Sequence, residues 1–137
     1  MTSPVDVLAR TLFGEDDTDE ATLEAVASVI MNRADHPRWW GDDVISVCTK
    51  PYQFSCWLPG PDRIRLLNAT PANPVFALAT AVAQRAIAGT LADSTRGSDS
   101  YYAVTMVVPP AWATPERFRV QISRQRYYRV ELPPLPA

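Results

Sequence analysis

Histidine occurs once in the chain, at His36, and cysteine twice, at Cys48 and Cys56. The cysteines lack the Cys-x-x-Cys spacing of a metal knuckle, and one histidine cannot complete a zinc set. No metal site and no cofactor are expected. The same scarcity argues against a catalytic triad, because no serine or cysteine has a histidine-centred constellation around it. His36 closes a helical stretch before Pro37 and reads as a structural side chain at a helix C-terminus. The two thiols are expected to be half-buried in a reducing compartment. In an oxidising one they would close a loop as a disulfide.

Other things are missing too. A net charge of −2 gives no electrostatic footprint for nucleic acid or for an anionic membrane. No apolar run approaches the length of a transmembrane helix. Residues 1–6 have neither the basic nor the apolar region of a signal peptide. The expectation is a protein made in the cytoplasm and carried to its site of action by something else. Arg96-Gly97-Ser98 is too thin for a phosphate-binding loop. Neither an internal repeat nor a low-complexity segment is visible. At 137 residues the chain is expected to form one domain, 1–137, large enough for a real core. Its charge is segregated. Acidic residues gather at Glu15-Asp16-Asp17 and Asp19-Glu20. Arginines gather at Arg117, Arg119, Arg124, Arg126 and Arg129, and are read as a solvated face, with the holding of an acidic polymer as the alternative.

Ser3-Pro4 opens a first helix, with Asp6 as a short capping-box partner. Val5, Leu8, Ala9 and Leu12 give its apolar face, and Gly14 suits its stop. A second helix starts at Thr18 or Asp19 and carries the stripe Leu23, Val26, Ala27, Ile30, Met31, Ala34 until Asp35-His36-Pro37. Residues 42–47 suit a short helix. Residues 51–62, with Pro51, Pro59, Gly60 and Pro61, read as a long irregular segment. Asn73-Pro74 starts a third long helix that Gly89 stops. Beyond residue 90 the character changes. Residues 101–108, 118–122 and 127–132 are rich in strand formers. The expected class is α+β: helices first, then a small C-terminal antiparallel sheet.

Three stretches can carry chemistry. Ala9-Arg10-Thr11-Leu12-Phe13-Gly14-Glu15 leaves a glutamate at the negative pole of a helix, followed by Asp16 and Asp17. Both features disfavour the carboxylate. A carboxyl group that keeps its proton near neutral pH is what a general acid needs; otherwise such a glutamate is simply solvated. Pro51-Tyr52-Gln53-Phe54-Ser55-Cys56-Trp57 combines an amide, a hydroxyl and aromatics in one loop. Sugars are bound by such sets, ring faces stacking on C–H groups and amides pairing with hydroxyls and N-acetyl groups. The plainer alternative has Phe54 and Trp57 plugging the core. Of Trp39 and Trp40, one is expected inside and one exposed. In Tyr101-Tyr102 and Tyr127-Tyr128, strand alternation would bury one of each pair and turn the other to a cleft.

These stretches carry a resemblance. Residues 8–15, Leu-Ala-Arg-Thr-Leu-Phe-Gly-Glu, resemble the opening of the spore-cortex-lytic, or SleB-type, cell wall hydrolase family. Ala25-Val26-Ala27-Ser28-Val29-Ile30-Met31-Asn32-Arg33 resembles its "AVA.VI.NR" helix. Gln53-Phe54-Ser55, bracketed by Cys48 and Cys56, resembles its "QFS" loop. Trp112-Ala113 and residues 122–129 resemble its closing segments. The chain departs from the pattern at Ser100, where the family often has histidine, and at Ser123 and Gln125, where it often has Gly-x-His.

The resemblance implies a lysozyme-like helical domain that cleaves the glycan strands of peptidoglycan. Its catalytic acid would be Glu15, with Gln53, Phe54, Ser55, Trp57, Tyr101 and Tyr128 binding substrate. Asp16, Asp17, Asp19, Glu20 and Glu24 are the candidate second carboxylates, and none is placed across a cleft by sequence alone. A single-acid lytic transglycosylase forming 1,6-anhydro-muramic acid is therefore expected. The alternatives are a muramidase, a glycosidase of chitin-like polymers, and an inactive wall-binding or virion module. A holin or a phage-like particle is the expected means of delivery to the wall.

Overall fold

The protein, described by a computed structural model over residues 3–15 and 19–135, has five helices and a three-stranded sheet. The helices are α1 (Pro4–Gly14), α2 (Glu20–Ala34), α3 (Val44–Thr49), α4 (Pro61–Asn68) and α5 (Pro74–Ala88). The strands β1 (Ser100–Ala103), β2 (Phe118–Ile122) and β3 (Gln125–Tyr128) follow, so the fold is α+β.

Helix α1 begins as its sequence dictates. The Ser3 hydroxyl accepts from the Asp6 amide at 3.1 Å, and Pro4 fills the first turn, where its missing N–H is not needed. The Asp6 carboxylate turns instead to Arg10, 3.1 Å away. Leu8 and Leu12 are fully buried, and α1 packs chiefly on α5. Gly14 does not end the helix by a left-handed turn; Glu15, the C-cap, has φ −71°. Glycine stands there for space. A Cβ on Gly14 would lie 2.6 Å from Cys56 Sγ, closer than any real contact. Leaving the side chain off lets the segment of Cys56 press against the end of α1.

Helix α5 follows the same rules. The Asn73 side chain accepts from the Val75 and Phe76 amides, and Gly89 closes the helix at φ +77°. Asp19 takes the N-cap place of α2 and accepts the hydroxyls of Thr22 and Ser123. Thr18, the other expected cap, lies outside the described residues.

Three sequence expectations are corrected. The irregular segment expected over 51–62 ends sooner: Pro61 is the first residue of α4. The strand expected over 101–108 stops at Ala103, because its partner β3 is only four residues long. The Val104 amide then goes to the Arg124 carbonyl, and Met106 turns back to Ala103. The last strand spans 125–128 rather than 127–132.

The sheet order is β1-β3-β2, all antiparallel. One face packs on α2, where Tyr127 meets Ala25 and Val29. The other carries Tyr102, Phe118 and Tyr128, with Trp112 packed edge-on to Tyr102 and Tyr128. The arginines beside this sheet are not a solvated face. Arg117, Arg119 and Arg129 are part-buried and donate to the carbonyls of Trp112, Phe118 and Gly97 at 3.3, 3.0 and 2.8 Å. Only Arg124 of the five is exposed.

Candidate active site

Where α1 ends, the helices and the sheet leave a cleft of about 680 Å³. Glu15 lies in it because the last turn of α1 holds its backbone: the Glu15 amide donates to the Thr11 and Leu12 carbonyls at 3.1 and 3.3 Å. The loop of residues 52–55 contributes Tyr52, Gln53, Phe54 and Ser55, and Trp39 joins from the turn after α2. The sheet side contributes Ser100, Tyr101, Met106, Trp112, Val130 and Glu131, and Arg33 comes from the end of α2.

The Tyr101 hydroxyl donates to Glu15 Oε1 at 2.8 Å. Burial pushes the Glu15 carboxyl above the usual carboxylate range, and the tyrosine bond only partly offsets this. The direction matches the sequence expectation, but the cause is desolvation; Asp16 and Asp17 lie outside the described residues. The Tyr101 phenol is itself raised well above its ordinary value, first by burial and then by the Glu15 charge. Tyr101 therefore stays protonated and remains a donor. Glu15 Oε1 is engaged by this bond, and among the described residues no side chain donates to the other oxygen.

Cys48 and Cys56 are buried free thiols behind Glu15. Burial pushes both up to about 12, so neither is a nucleophile at neutral pH. Among the described residues no three His, Cys, Asp or Glu side chains are grouped to hold a metal ion.

Of the residues expected to bind substrate, Gln53, Phe54, Ser55 and Tyr101 line the cleft; Trp57 and Tyr128 do not. The Trp57 indole N–H donates to Thr11 Oγ1 at 2.9 Å and ties the loop to α1. Tyr128 is 4% exposed and lies 5.5 Å from both Trp112 and Phe118, ring centre to ring centre. Alternation does not turn it to a cleft because both faces of the sheet are covered. Trp40 is the buried tryptophan and Trp39 the exposed one.

Met106 and Glu131 gave no signal in the sequence, while Arg33, Trp112 and Tyr52 were visible only as parts of longer stretches. Arg33 extends the buried face Val26-Val29-Arg33 of α2; in sequence it stood out only as the end of the stretch that resembles the family's helix. Trp112 and Met106 arrive on the loop after β1. Glu131 is an exposed carboxylate with its amide bonded to Asp99 at 2.9 Å. Tyr52 is 81% exposed with φ +67°. A left-handed non-glycine backbone costs of order 1 kcal/mol, so this loop holds an aromatic ring at the mouth of the cleft against strain. Of the expected second carboxylates, Glu24 is paired with Arg85 at 2.9 Å, Asp19 is held by hydroxyls, and Glu20 is exposed at the start of α2.

A family model described as Cell Wall Hydrolase matches residues 17–128, 112 of the 137 residues. The match starts just beyond Glu15. No curated protein and no solved structure matches the chain.

Proposed function

The chain belongs to the cell wall hydrolase family, and from that premise we propose that it is a lytic transglycosylase of the SleB type with Glu15 as its only acid and base. The observation that carries this reading is the Glu15 carboxyl group: partly buried in the cleft, raised by desolvation, and held at one oxygen by Tyr101.

The protonated carboxyl gives its proton to the oxygen between N-acetylmuramic acid and N-acetylglucosamine. The bond from muramic C1 to that oxygen breaks, and the sugar passes through an oxocarbenium-like state. The Glu15 carboxylate, with Tyr101 donating to it, then takes the proton of the muramic C6 hydroxyl as that oxygen bonds to C1. A 1,6-anhydro ring forms, Glu15 is protonated again, and no water is consumed. Gln53, Phe54 and Ser55 hold the strand, with Trp39 and Tyr52 as stacking surfaces at the mouth of the cleft.

A second reading has one specific support: Glu131 lines the same cleft. As a base for water it would make the enzyme a muramidase.

Purified peptidoglycan digested by wild type and by Glu15→Gln, with the released muropeptides weighed by mass spectrometry, separates these readings. The proposal expects anhydro-muramyl products from wild type and a loss of about 10²–10⁴-fold in the variant. Reducing-end muramic acid from wild type would move the assignment to hydrolysis with Glu131. Products undiminished in Glu15→Gln would remove Glu15 from the mechanism.

A further inference from the structure

Arg33 brings a positive charge into the cleft, and among the described residues no carboxylate is in ion-pair contact with it. The residue is 8% exposed. Its Nε donates to the Asp99 carbonyl at 2.7 Å, and its Nη1 reaches the Gln53 side-chain oxygen at 3.5 Å, a long contact. The guanidinium also lies over the Trp40 and Phe54 rings, at 5.4 and 5.9 Å. The charges of Asp99 and Glu131 act on it from a distance, and burial outweighs them. Among the described residues no carboxylate forms an ion pair with it. A guanidinium has five N–H donors, and the contacts above use two. The others have no protein partner among the described residues, and the side chain lines the cleft. The side chain is mostly buried, and its unused donors open on the cleft, where water or a ligand can meet them.

We propose that Arg33 is a specificity residue: its unused N–H groups receive the acyl oxygen of the lactyl ether that marks a muramic acid residue. This rests on the glycan reading of the cleft given above. Both sugars of the strand carry hydroxyls and an acetamido group, but only muramic acid adds an acyl carbon at O3. A planar fork of donors suits such an oxygen better than it suits a hydroxyl. Gln53, whose carbonyl end faces Arg33, keeps its NH₂ for a second acceptor on the strand.

The acyl oxygen has two chemical sources. On strands that bear peptide stems it is a neutral amide carbonyl; on stripped strands it is a free carboxylate. Glu131 shares the cleft and makes no ion pair among the described residues. Its charge opposes a free carboxylate and ignores an amide. Stem-bearing strands are therefore the preferred ligand.

The test is binding, in the Glu15→Gln protein so that nothing is cut. Three ligands are compared: a stem-bearing glycan fragment, the same fragment stripped of peptide, and an N-acetylglucosamine hexamer. Arg33→Met should weaken binding of the stem-bearing fragment by about 10–100-fold, the worth of a charged hydrogen bond, and leave the hexamer within about 2-fold. Arg33→Lys, which keeps the charge but not the fork, should fall between and serves if Arg33→Met does not fold. Equal losses for all three ligands would reduce Arg33 to a structural role, and no loss would remove it from the contact. Tighter binding of the stripped fragment would overturn the preference for stem-bearing strands. If the parent Glu15→Gln protein binds none of the three, the glycan reading of the cleft fails, and this proposal with it.

Discussion

Glu15 and Asp99 are carboxyl groups at the two ends of one short path, joined by the first residues of β1, and their surroundings are opposite. Asp99 is fully buried and accepts four hydrogen bonds: the amides of Val130, Glu131 and Leu132 at 2.8–2.9 Å and the Ser100 hydroxyl at 2.9 Å. Among the described residues Glu15 accepts one from a side chain, that of Tyr101. Four donors fix the Asp99 carboxyl group in place, whereas burial raises the Glu15 carboxyl above the usual carboxylate range and the Tyr101 bond offsets this only in part. The first carboxylate ties residues 130–132 to the sheet and so builds the part of the cleft made by Val130 and Glu131. The second lines that cleft, where it is the proposed acid and base. The number of donors separates the staple from the tool.

The comparison breaks most visibly at the staple. Asp99→Ala would leave three amides without their acceptor, that of Leu132 buried and those of Val130 and Glu131 part-buried, at a cost of about 3 kcal/mol, which is a fall of roughly 10 °C in Tm for a domain of this size. A thermal melt measures it. A Tm unchanged in Asp99→Ala would mean that residues 130–132 hold themselves, and Asp99 would lose its structural role.

The next effect is at the tool. Tyr101→Phe removes the side-chain bond from Tyr101 that lowers the Glu15 pKa. The carboxyl should then keep its proton to higher pH, so the alkaline limb of the rate profile should move up. Turnover should drop by about 10-fold, because the carboxylate formed in the transition state loses its donor. A limb that moved down would contradict the assignment of Tyr101 as donor to Glu15.

Much of this was legible in the sequence, and what was not has physical causes. Ser3-Pro4, Asn73-Pro74 and Gly89 announced two helix starts and a stop, because caps are local chemistry. Pro61 carried the same message as Pro4 and Pro74, but it sat among Pro51, Pro59 and Gly60 and was read with them as loop. Glu15 was visible because its helix end was visible. Strand propensity in Thr105-Met106-Val107-Val108 was real, yet a strand needs a partner, and β3 runs out at Gln125, opposite Ala103. Tyr128 followed the alternation rule into the wrong environment, because the loop bearing Trp112 covers the outer face of the sheet. Arg33 and Glu131 reach the cleft through contacts 66 and 32 residues away in sequence, Arg33 to the Asp99 carbonyl and the Glu131 amide to the Asp99 carboxylate. No local pattern encodes such distances.

The smallest effect sharpens the comparison most, because it asks what Glu15 does to the fold rather than to the substrate. A carboxyl raised by burial binds its proton more tightly in the folded chain than in the unfolded one. Below the unfolded pKa both states are protonated, and Glu15 contributes its full stability. As pH rises toward and through the folded pKa, the unfolded chain ionises freely while the folded chain resists, and that contribution is lost. The amide introduced by Glu15→Gln has no such dependence and still offers an oxygen to Tyr101. The Tm of Glu15→Gln relative to wild type should therefore climb as pH rises from about 4 and level off once wild-type Glu15 is ionised. Melts of both proteins across that range give the curve. Asp99→Ala should instead destabilise across the whole range, because the amides of Val130, Glu131 and Leu132 lose their acceptor. If Glu15→Gln instead lost ground as pH rose, Glu15 would be a second staple, and the division between the two carboxyl groups would be wrong.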